Sequence, residues 1–191
     1  MGVGIRELVG QRHSRRGIGR GLLGGLLFRV VLFSRVGNDI FGYDANGNLT
    51  EIRIAGSPVW TYTYDATNRL IHVEDGTGNI SADYYYDPFG RRLWKEVSGV
   101  RTYFFYSEEG LIAEYDATGA EIRSYGYKPD STWTTDPLWL KEGGAYYWYQ
   151  NDHLGTPQKL VDTTGMVVWE AQYTAFGEAV VGIETVENNL R

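Results

Sequence analysis

Hydrophobic and polar side chains alternate along much of this chain with a period of two residues, which is typical of a β-strand with one buried face. In residues 60–64 three aromatic residues alternate with two threonines, and residues 167–173 show a similar alternation. Clusters of Asp, Asn, Gly and Pro interrupt the alternation at intervals of 9 to 12 residues, which hold one strand and one turn. The pattern therefore predicts short strands joined by tight turns, with no helix beyond residue 36.

One motif, Tyr-Asp-x-x-Gly-x-Leu, recurs along the alternating region. It occurs at residues 43–49, returns 21 residues later at 64–70, and begins again at Tyr86, 22 residues after that. A further copy begins at Tyr115 and a worn one at Tyr173. A repeat of this length holds two strands and two turns, which is one hairpin. We therefore expect an all-β fold, an antiparallel hairpin-repeat sheet that forms a curved strip.

The polar residues of the motif have the chemistry of a turn. An Asp side chain accepts hydrogen bonds from backbone amides just beyond it, and Gly or Asn adopts a positive φ at low cost. Residues 44–48 also resemble the start of a calcium loop, but the remaining acidic ligands and the Glu at the twelfth position are missing. We interpret each copy as a joint between two strands and expect no metal.

Composition and charge narrow the range of partners. The chain has no cysteine, which excludes disulfides and thiolate metal sites. Residues 1–36 hold seven Arg and one Glu, whereas residues 37–191 hold 11 basic and 23 acidic residues, a net charge of −12. Phosphate binding requires clustered Lys and Arg, so this acidic body argues against a nucleic-acid partner.

The basic N-terminal segment differs from everything after it. An apolar stretch of about eight residues at 21–28 follows several arginines and is interrupted by Arg29, whereas a membrane span needs roughly 20 apolar residues. We expect residues 1–36 to be poorly ordered and not to insert into a membrane, with a secretion signal or anchor as the alternative. Residues 37–191 form the predicted repeat domain, although its tail from Ile183 indicates no clear structural terminus.

Few residues offer catalytic chemistry. Asp152 and His153 could act as an acid and a base, but no Ser, Cys or second His pattern surrounds them. Since Gly155 and Pro157 follow, we interpret this stretch as a structured turn. We predict no catalytic residue, no cofactor and no enzymatic activity.

Aromatic runs at residues 84–86, 103–106 and 146–149 place rings on both faces of the predicted sheet. We interpret these rings as cross-strand packing partners. Exposed aromatic platforms that bind sugars or extended peptides are the alternative.

The repeated motif resembles the YD repeat, and residues 149–162 resemble the signature of the Rhs repeat-associated core. The resemblance extends over about residues 39–182. The residues that carry it are Tyr43, Asp44, Gly47, Tyr64, Asp65, Tyr86, Asp87, Gly90, Tyr115, Asp116, Gly119, Asp152, His153, Leu154, Gly155, Thr156 and Pro157.

This resemblance implies a YD-repeat β-shell, which in bacterial Rhs proteins and insecticidal toxin complexes encloses a C-terminal toxin. In animal teneurins a similar shell serves cell adhesion. The family core continues into an autoproteolytic element that this sequence does not reach, so we expect a truncated core. Asp136 and Pro137 lie upstream of the signature, and no proteolytic role is transferred to them.

Three functional hypotheses follow from the resemblance, from the aromatic runs and from the expected truncation. The first is a non-enzymatic shell segment, secreted or associated with the cell envelope, whose partners are the remainder of the shell and an enclosed effector. The second is a cell-surface adhesion or carbohydrate-binding module, with glycans as partners. The third is a truncated gene product without activity of its own.

Overall fold

A computed structural model describes residues 34–190, and that part of the chain is built entirely from β-strands and turns. No helix among these residues is long and apolar enough to cross a membrane. The strands are β1 Arg35–Val36, β2 Asp39–Tyr43, β3 Leu49–Ile54, β4 Ser57–Tyr64, β5 Leu70–Asp75, β6 Ser81–Tyr86, β7 Arg92–Val97, β8 Val100–Tyr106, β9 Leu111–Asp116, β10 Glu121–Tyr127, β11 Pro137–Glu142, β12 Ala145–Asn151, β13 Pro157–Val161, β14 Val167–Tyr173 and β15 Ala179–Glu184.

The order of the strands in the sheet is their order in the chain, and neighbouring strands run antiparallel. The contacts divide the chain into two compact units, of which the first ends at Tyr84 and the second begins at Tyr85, within β6. The predicted fold class, an antiparallel all-β array of hairpins, is confirmed.

The 21-residue repeat is one hairpin plus its connection to the next. Tyr43, Tyr64 and Tyr86 are the last residues of β2, β4 and β6, so successive motifs fall two strands apart. The copy at Tyr115 differs, because Asp116 ends the odd-numbered strand β9. This copy joins β9 to β10, at the opposite end of the strands from the other copies, which explains why its spacing departs from the repeat.

Shorter turns close three of the hairpins. The β3–β4, β7–β8 and β11–β12 pairs are each joined by two residues that both have positive φ, as in the hairpin turns that match the twist of paired strands. The residue pairs are Ala55–Gly56, Ser98–Gly99 and Gly143–Gly144.

The N-terminal boundary predicted between residues 36 and 37 falls in the turn of the β1–β2 hairpin, where Val36 pairs with Asp39. Most of the predicted N-terminal segment, residues 1–33, lies outside the described residues. Residues 128–136 leave the strand pattern between β10 and β11.

Each unit has its own buried residues. In the first unit Ile52 and Val73 are buried at the centres of β3 and β5. In the second unit the fully buried side chains include Leu140, Leu160 and Trp169, and Leu160 lies directly opposite Trp169 across the β13–β14 pair. The second unit therefore contains a core that extends across several strands.

Gly126 in β10 provides a test of packing in this core. A Cβ atom at this position would lie 2.1 Å from Nε1 of Trp139, so the indole would have to move. We expect Gly126→Ala to lower the free energy of unfolding by about 1–3 kcal/mol, measured by denaturant titration. Gly182→Ala in β15 is the matched control, because its nearest heavy atom is the Glu170 carbonyl oxygen at 3.9 Å. Equal effects of the two substitutions would contradict the packing described for Trp139.

Candidate functional site

The Asp152 turn contains the family-like signature of the second unit. The Asp152 carboxylate accepts hydrogen bonds from the amides of Leu154 at 2.9 Å and Thr156 at 3.0 Å. The Thr156 hydrogen bond is the main cause that lowers the pKa of Asp152. The His153 and Leu154 side chains are exposed. The turn therefore orders its own backbone rather than presenting an acid and a base to a common point.

Gly155 lets this turn contact the irregular segment before β11. A Cβ atom on Gly155 would lie 2.7 Å from the amide nitrogen of Asp136, and that amide donates a hydrogen bond to the Gly155 carbonyl at 3.0 Å. The Pro137 carbonyl in turn accepts a hydrogen bond from the Asn151 side chain at 2.9 Å. Asp136 and Pro137 thus lie against the signature turn as structural neighbours.

The other motif copies repeat the same hydrogen-bond pattern. The Asp44 carboxylate accepts hydrogen bonds from the amides of Asn46 at 2.9 Å and Asn48 at 2.8 Å, and the Asn48 side-chain amide also lowers the pKa of Asp44. Asp116 accepts from Thr118 and Ala120 in the same way. The seventeen signature residues occupy five separate strand–turn junctions, which serve as joints of the sheet.

The structure brings another set of residues together that the sequence did not predict. Residues 185–190, the C-terminal strap, follow β15 and return to the sheet. The amide and the hydroxyl of Thr185 each donate a hydrogen bond to the Val168 carbonyl at 2.9 Å, and the Val186 amide reaches the same oxygen at 3.2 Å. Val186 and Leu190 pack against the core of the second unit. The strap therefore covers part of that core.

Asn188 is the most deeply buried residue of the strap, with 0% of its surface exposed. Its carboxamide oxygen accepts hydrogen bonds from the Tyr149 hydroxyl at 2.8 Å and from the Leu190 amide at 3.0 Å. Burial raises the pKa of Tyr149 well above its ordinary value, so this phenol stays protonated and remains a donor. The Asn188 side chain is thus held in a single orientation.

A second polar contact lies at Glu114, which is only 3% exposed. Its Oε1 accepts a hydrogen bond from the Tyr125 hydroxyl and another from the Asn189 side chain at 2.9 Å. Burial, reinforced by the nearby Glu114 carboxylate, raises the pKa of Tyr125. The buried carboxylate is therefore held by two donors, one from the sheet and one from the strap.

Arg123 provides the third polar contact. Its Nη2 lies 2.7 Å from Oε1 of Glu142 on β11 and 3.1 Å from Oε2 of Glu187 on the strap. Burial alone would lower the pKa of Arg123, but the hydrogen bond to Glu142 and neighbouring negative charge raise it. The guanidinium therefore remains charged beneath the strap.

A groove of about 890 Å³ in the second unit is lined in part by Glu114 of β9 and by Asn189 of the strap. Arg91 lies over the rings of Phe89 and Tyr106, with 5.4 and 5.6 Å from its Cζ to the ring centroids. The remaining lining residues are Tyr86, Gly90, Arg92, Lys95, Phe104, Leu111, Trp133 and Thr134.

Aromatic and cationic side chains form most of the groove surface. Trp133 stacks on Tyr106 with centroids 5.9 Å apart, and Lys95 lies 5.7 Å from the centroid of Phe104. Glu114 is the one carboxylate in the lining, and it is held by Tyr125 and Asn189. The cationic side chains of the groove are attracted to the aromatic faces that they cover.

Sequence reasoning missed the contacts that the strap makes with the core. Val186, Asn188 and Leu190 point toward the core while the residues between them are exposed, which is strand-like alternation. Because the central inward residue, Asn188, is polar, the hydrophobic alternation of these residues is not apparent from the sequence. The available clue was that two aliphatic residues four positions apart flank that Asn.

Two family profiles match the chain. The family described as RHS Repeat matches residues 43–80, and the family described as RHS protein matches residues 146–182. The second match contains the Asp152 turn, and the first contains the turns at Asp44 and Asp65.

Relatives in three different organisms share this region. The chain is 29% identical over 165 residues to double-stranded DNA deaminase toxin A of Burkholderia cenocepacia (strain H111), which covers 72% of this chain and 11% of the toxin. It is 32% identical over 147 residues to tRNA nuclease WapA of Bacillus subtilis (strain 168), and this match covers 75% of this chain and 6% of WapA. It is 31% identical over 149 residues to Teneurin-1 of Mus musculus, and this match covers 74% of this chain and 4% of Teneurin-1. The chain therefore spans about a tenth or less of these relatives.

Two solved structures match this chain with TM-scores below 0.5. TcdB2-TccC3 without its hypervariable C-terminal region matches with a TM-score of 0.46 and 13% identity, covering 75% of this chain and 9% of that one. The Photorhabdus luminescens Tc holotoxin pore matches with a TM-score of 0.43 and 14% identity, covering 78% and 10%.

The strands, the turns and the two profile matches together define a class, the β-hairpin repeat proteins that are jointed by Asp-led turns. Within that class, this chain belongs to the Rhs, or YD-repeat, family. The family resemblance inferred from the sequence is thereby confirmed.

Asp162 tests the electrostatic part of these joints. Hydrogen bonds from the Thr164 hydroxyl and the Met166 amide lower the pKa of Asp162 below 3.8. A carboxyl whose pKa is depressed by folding stabilises the fold above its unfolded pKa, and this stabilisation is lost as the pH falls through the folded pKa. We expect the thermal midpoint of Asp162→Asn to depend less on pH than that of the unmodified chain between about pH 5 and pH 2.

The control for this titration is Glu108→Gln, which removes an exposed carboxylate from the loop between β8 and β9. We expect its melting profile to follow that of the unmodified chain across the same pH range. A pH dependence that is unchanged in Asp162→Asn would contradict the role of the ionised carboxylate in the turn.

Proposed function

We propose that this chain is a wall segment of an Rhs-type shell that encloses and presents a C-terminal effector, and that it is itself non-enzymatic. The observation that carries this proposal is the repeated joint. The same Asp-led hydrogen-bond pattern recurs at Asp44, Asp65, Asp87, Asp116 and Asp152. A reaction needs its site once, whereas an extended wall needs its joint at every connection.

The relatives support the same proposal. Two of them are named as a toxin and a nuclease, and the chain matches a small share of each, so the activities in those names belong to much longer proteins. We infer that residues 37–191 form the repeat domain and serve as scaffold in such a protein, secreted or associated with the cell envelope. The partners would be further shell repeats and the effector.

Protection from proteolysis tests this function in the complete natural protein that carries the segment. We expect its C-terminal effector to resist protease in the intact protein and to be cleaved rapidly when it is produced alone. Leu160→Asp would place a charge in the fully buried core and should expose the effector to protease. Leu154→Asp, at a side chain that is 67% exposed, is the control and should leave protection intact. An effector cleaved equally fast inside the protein, or the absence of any downstream domain, would overturn the proposal.

A carbohydrate-binding or adhesion module remains the second candidate because of one observation, the aromatic groove. Trp133 is 42% exposed, lines the groove and stacks on Tyr106, which resembles a platform for a sugar ring.

A glycan array separates this candidate from the scaffold. If the groove binds sugars, Trp133→Ala should lose binding by roughly tenfold or more, as expected for removal of one stacked ring. Phe176→Ala is the control, since the Phe176 side chain is fully exposed and lies outside the groove. An array without hits for the unmodified chain would count against glycan binding.

A further inference from the structure

We propose that the surface beneath the C-terminal strap is a peptide-recognition site that residues 185–190 occupy within their own chain. The site would accept an extended segment of another polypeptide in place of the strap. The segment it selects has an Asn at its central inward position and an aliphatic residue two positions to either side. This inference is independent of whether the chain encloses an effector.

Side chains, rather than the backbone ladder, hold the strap on the sheet. Among the described residues, the hydrogen bonds from the strap backbone to the sheet come from the amides of Thr185 and Val186, and both end on the Val168 carbonyl. The rest of the strap crosses toward β12, β10 and β9, where its side chains contact Tyr149, Arg123 and Glu114. Recognition therefore depends on the sequence of the segment.

The central subsite recognises a carboxamide. The Tyr149 hydroxyl donates to the Asn188 oxygen, while the Asn188 nitrogen donates to the Leu190 carbonyl at 3.2 Å and so fixes the bend of the segment. An aliphatic side chain here would leave the buried hydroxyl of Tyr149 without its acceptor. A carboxylate would bring a charge into a fully buried position.

The subsites for Val186 and Leu190, on either side of the central subsite, are apolar. Val186 and Leu190 pack on the core, which also contains Tyr125, Leu140 and Trp169. These two subsites select aliphatic residues by burial of apolar surface.

Two charged groups of the sheet beneath the strap add specificity through the outward-facing residues of the segment. Arg123 pairs with the Glu187 carboxylate, and Glu114 accepts from the Asn189 carboxamide. Both sheet residues are nearly buried, at 6% and 3% exposure. Buried polar groups that require matching partners discriminate between segments more strongly than an apolar surface does. The pattern that the site selects is aliphatic, acidic, Asn, polar and aliphatic.

The strap can be exchanged because it is short and little of it is buried. It follows β15, and five of its six residues are exposed or half-buried, whereas Asn188 is buried. Such segments open at lower cost than the whole fold. While it is docked, the strap competes with a free peptide at an effective concentration on the order of millimolar, so the closed chain binds a partner weakly.

A labelled peptide with the sequence of residues 184–191 tests the proposal by fluorescence anisotropy on the full chain. In Leu190→Asp, which should release the strap, we expect the dissociation constant to be about tenfold lower or more than in the unmodified chain, because the competitor is removed. Val180→Asp is the matched control, since Val180 is exposed on β15 and should leave the strap docked.

Specificity is tested with a second peptide and a second site variant. A peptide carrying Asn188→Ala should bind about tenfold or more weakly, and adding Tyr149→Phe to Leu190→Asp should weaken the original peptide by a similar factor. A Leu190→Asp chain that keeps its β-sheet spectrum and binds neither peptide, or binds both equally, would overturn the proposal.

If Leu190→Asp does not fold, hydrogen exchange on the unmodified chain tests whether the peptide displaces the strap. With excess peptide, we expect faster exchange at the Thr185, Val186 and Leu190 amides as the strap is displaced, and unchanged exchange with the Asn188→Ala peptide. Exchange at those three amides that millimolar peptide leaves unaltered would show that the strap is only a structural tail.

Discussion

The second unit depends on the return of the C-terminal strap to the sheet. A single antiparallel layer exposes both faces, so it cannot by itself bring Leu140, Leu160 and Trp169 to complete burial. Val186 and Leu190 pack on this row and Asn188 is bonded within it. The strap therefore supplies part of a second layer with very few residues, and it joins strands far apart in the sequence to one another.

The joints between strands solve a different problem. In a hairpin array, each connection must keep the register of its two strands without contacts to a distant core. The Asp-led turn does this locally, because one carboxylate accepts hydrogen bonds from two backbone amides. The same answer appears in both units, at Asp44 and at Asp162. At Thr174 the hydroxyl accepts one amide hydrogen bond, from Glu178 at 3.2 Å, which is consistent with the worn copy of the motif. Local turns and the long-range strap thus have separate roles.

The sequence predicted what depends on local chemistry and missed what depends on distant partners. Alternation and turn residues predicted the strands and the repeat of one hairpin, and the segment at 149–162 indicated the family. The role of Asn188 could not be predicted, because its partner Tyr149 lies 39 residues away in the chain. The same holds for Glu114 and Asn189, which are separated by 75 residues, and for the buried position of Arg123. A polar residue in a weakly patterned tail gives no periodic signal for such contacts.

Native-state hydrogen exchange of the full chain, resolved to single amides, tests the role of the strap most directly. If the strap completes the core, the slowest exchange should lie in β10 to β14, with amides around Leu140, Leu160 and Trp169 more protected than those of β2 to β5. Protection that is uniform along the hairpins, or that is greatest in β2 to β5, would contradict this account.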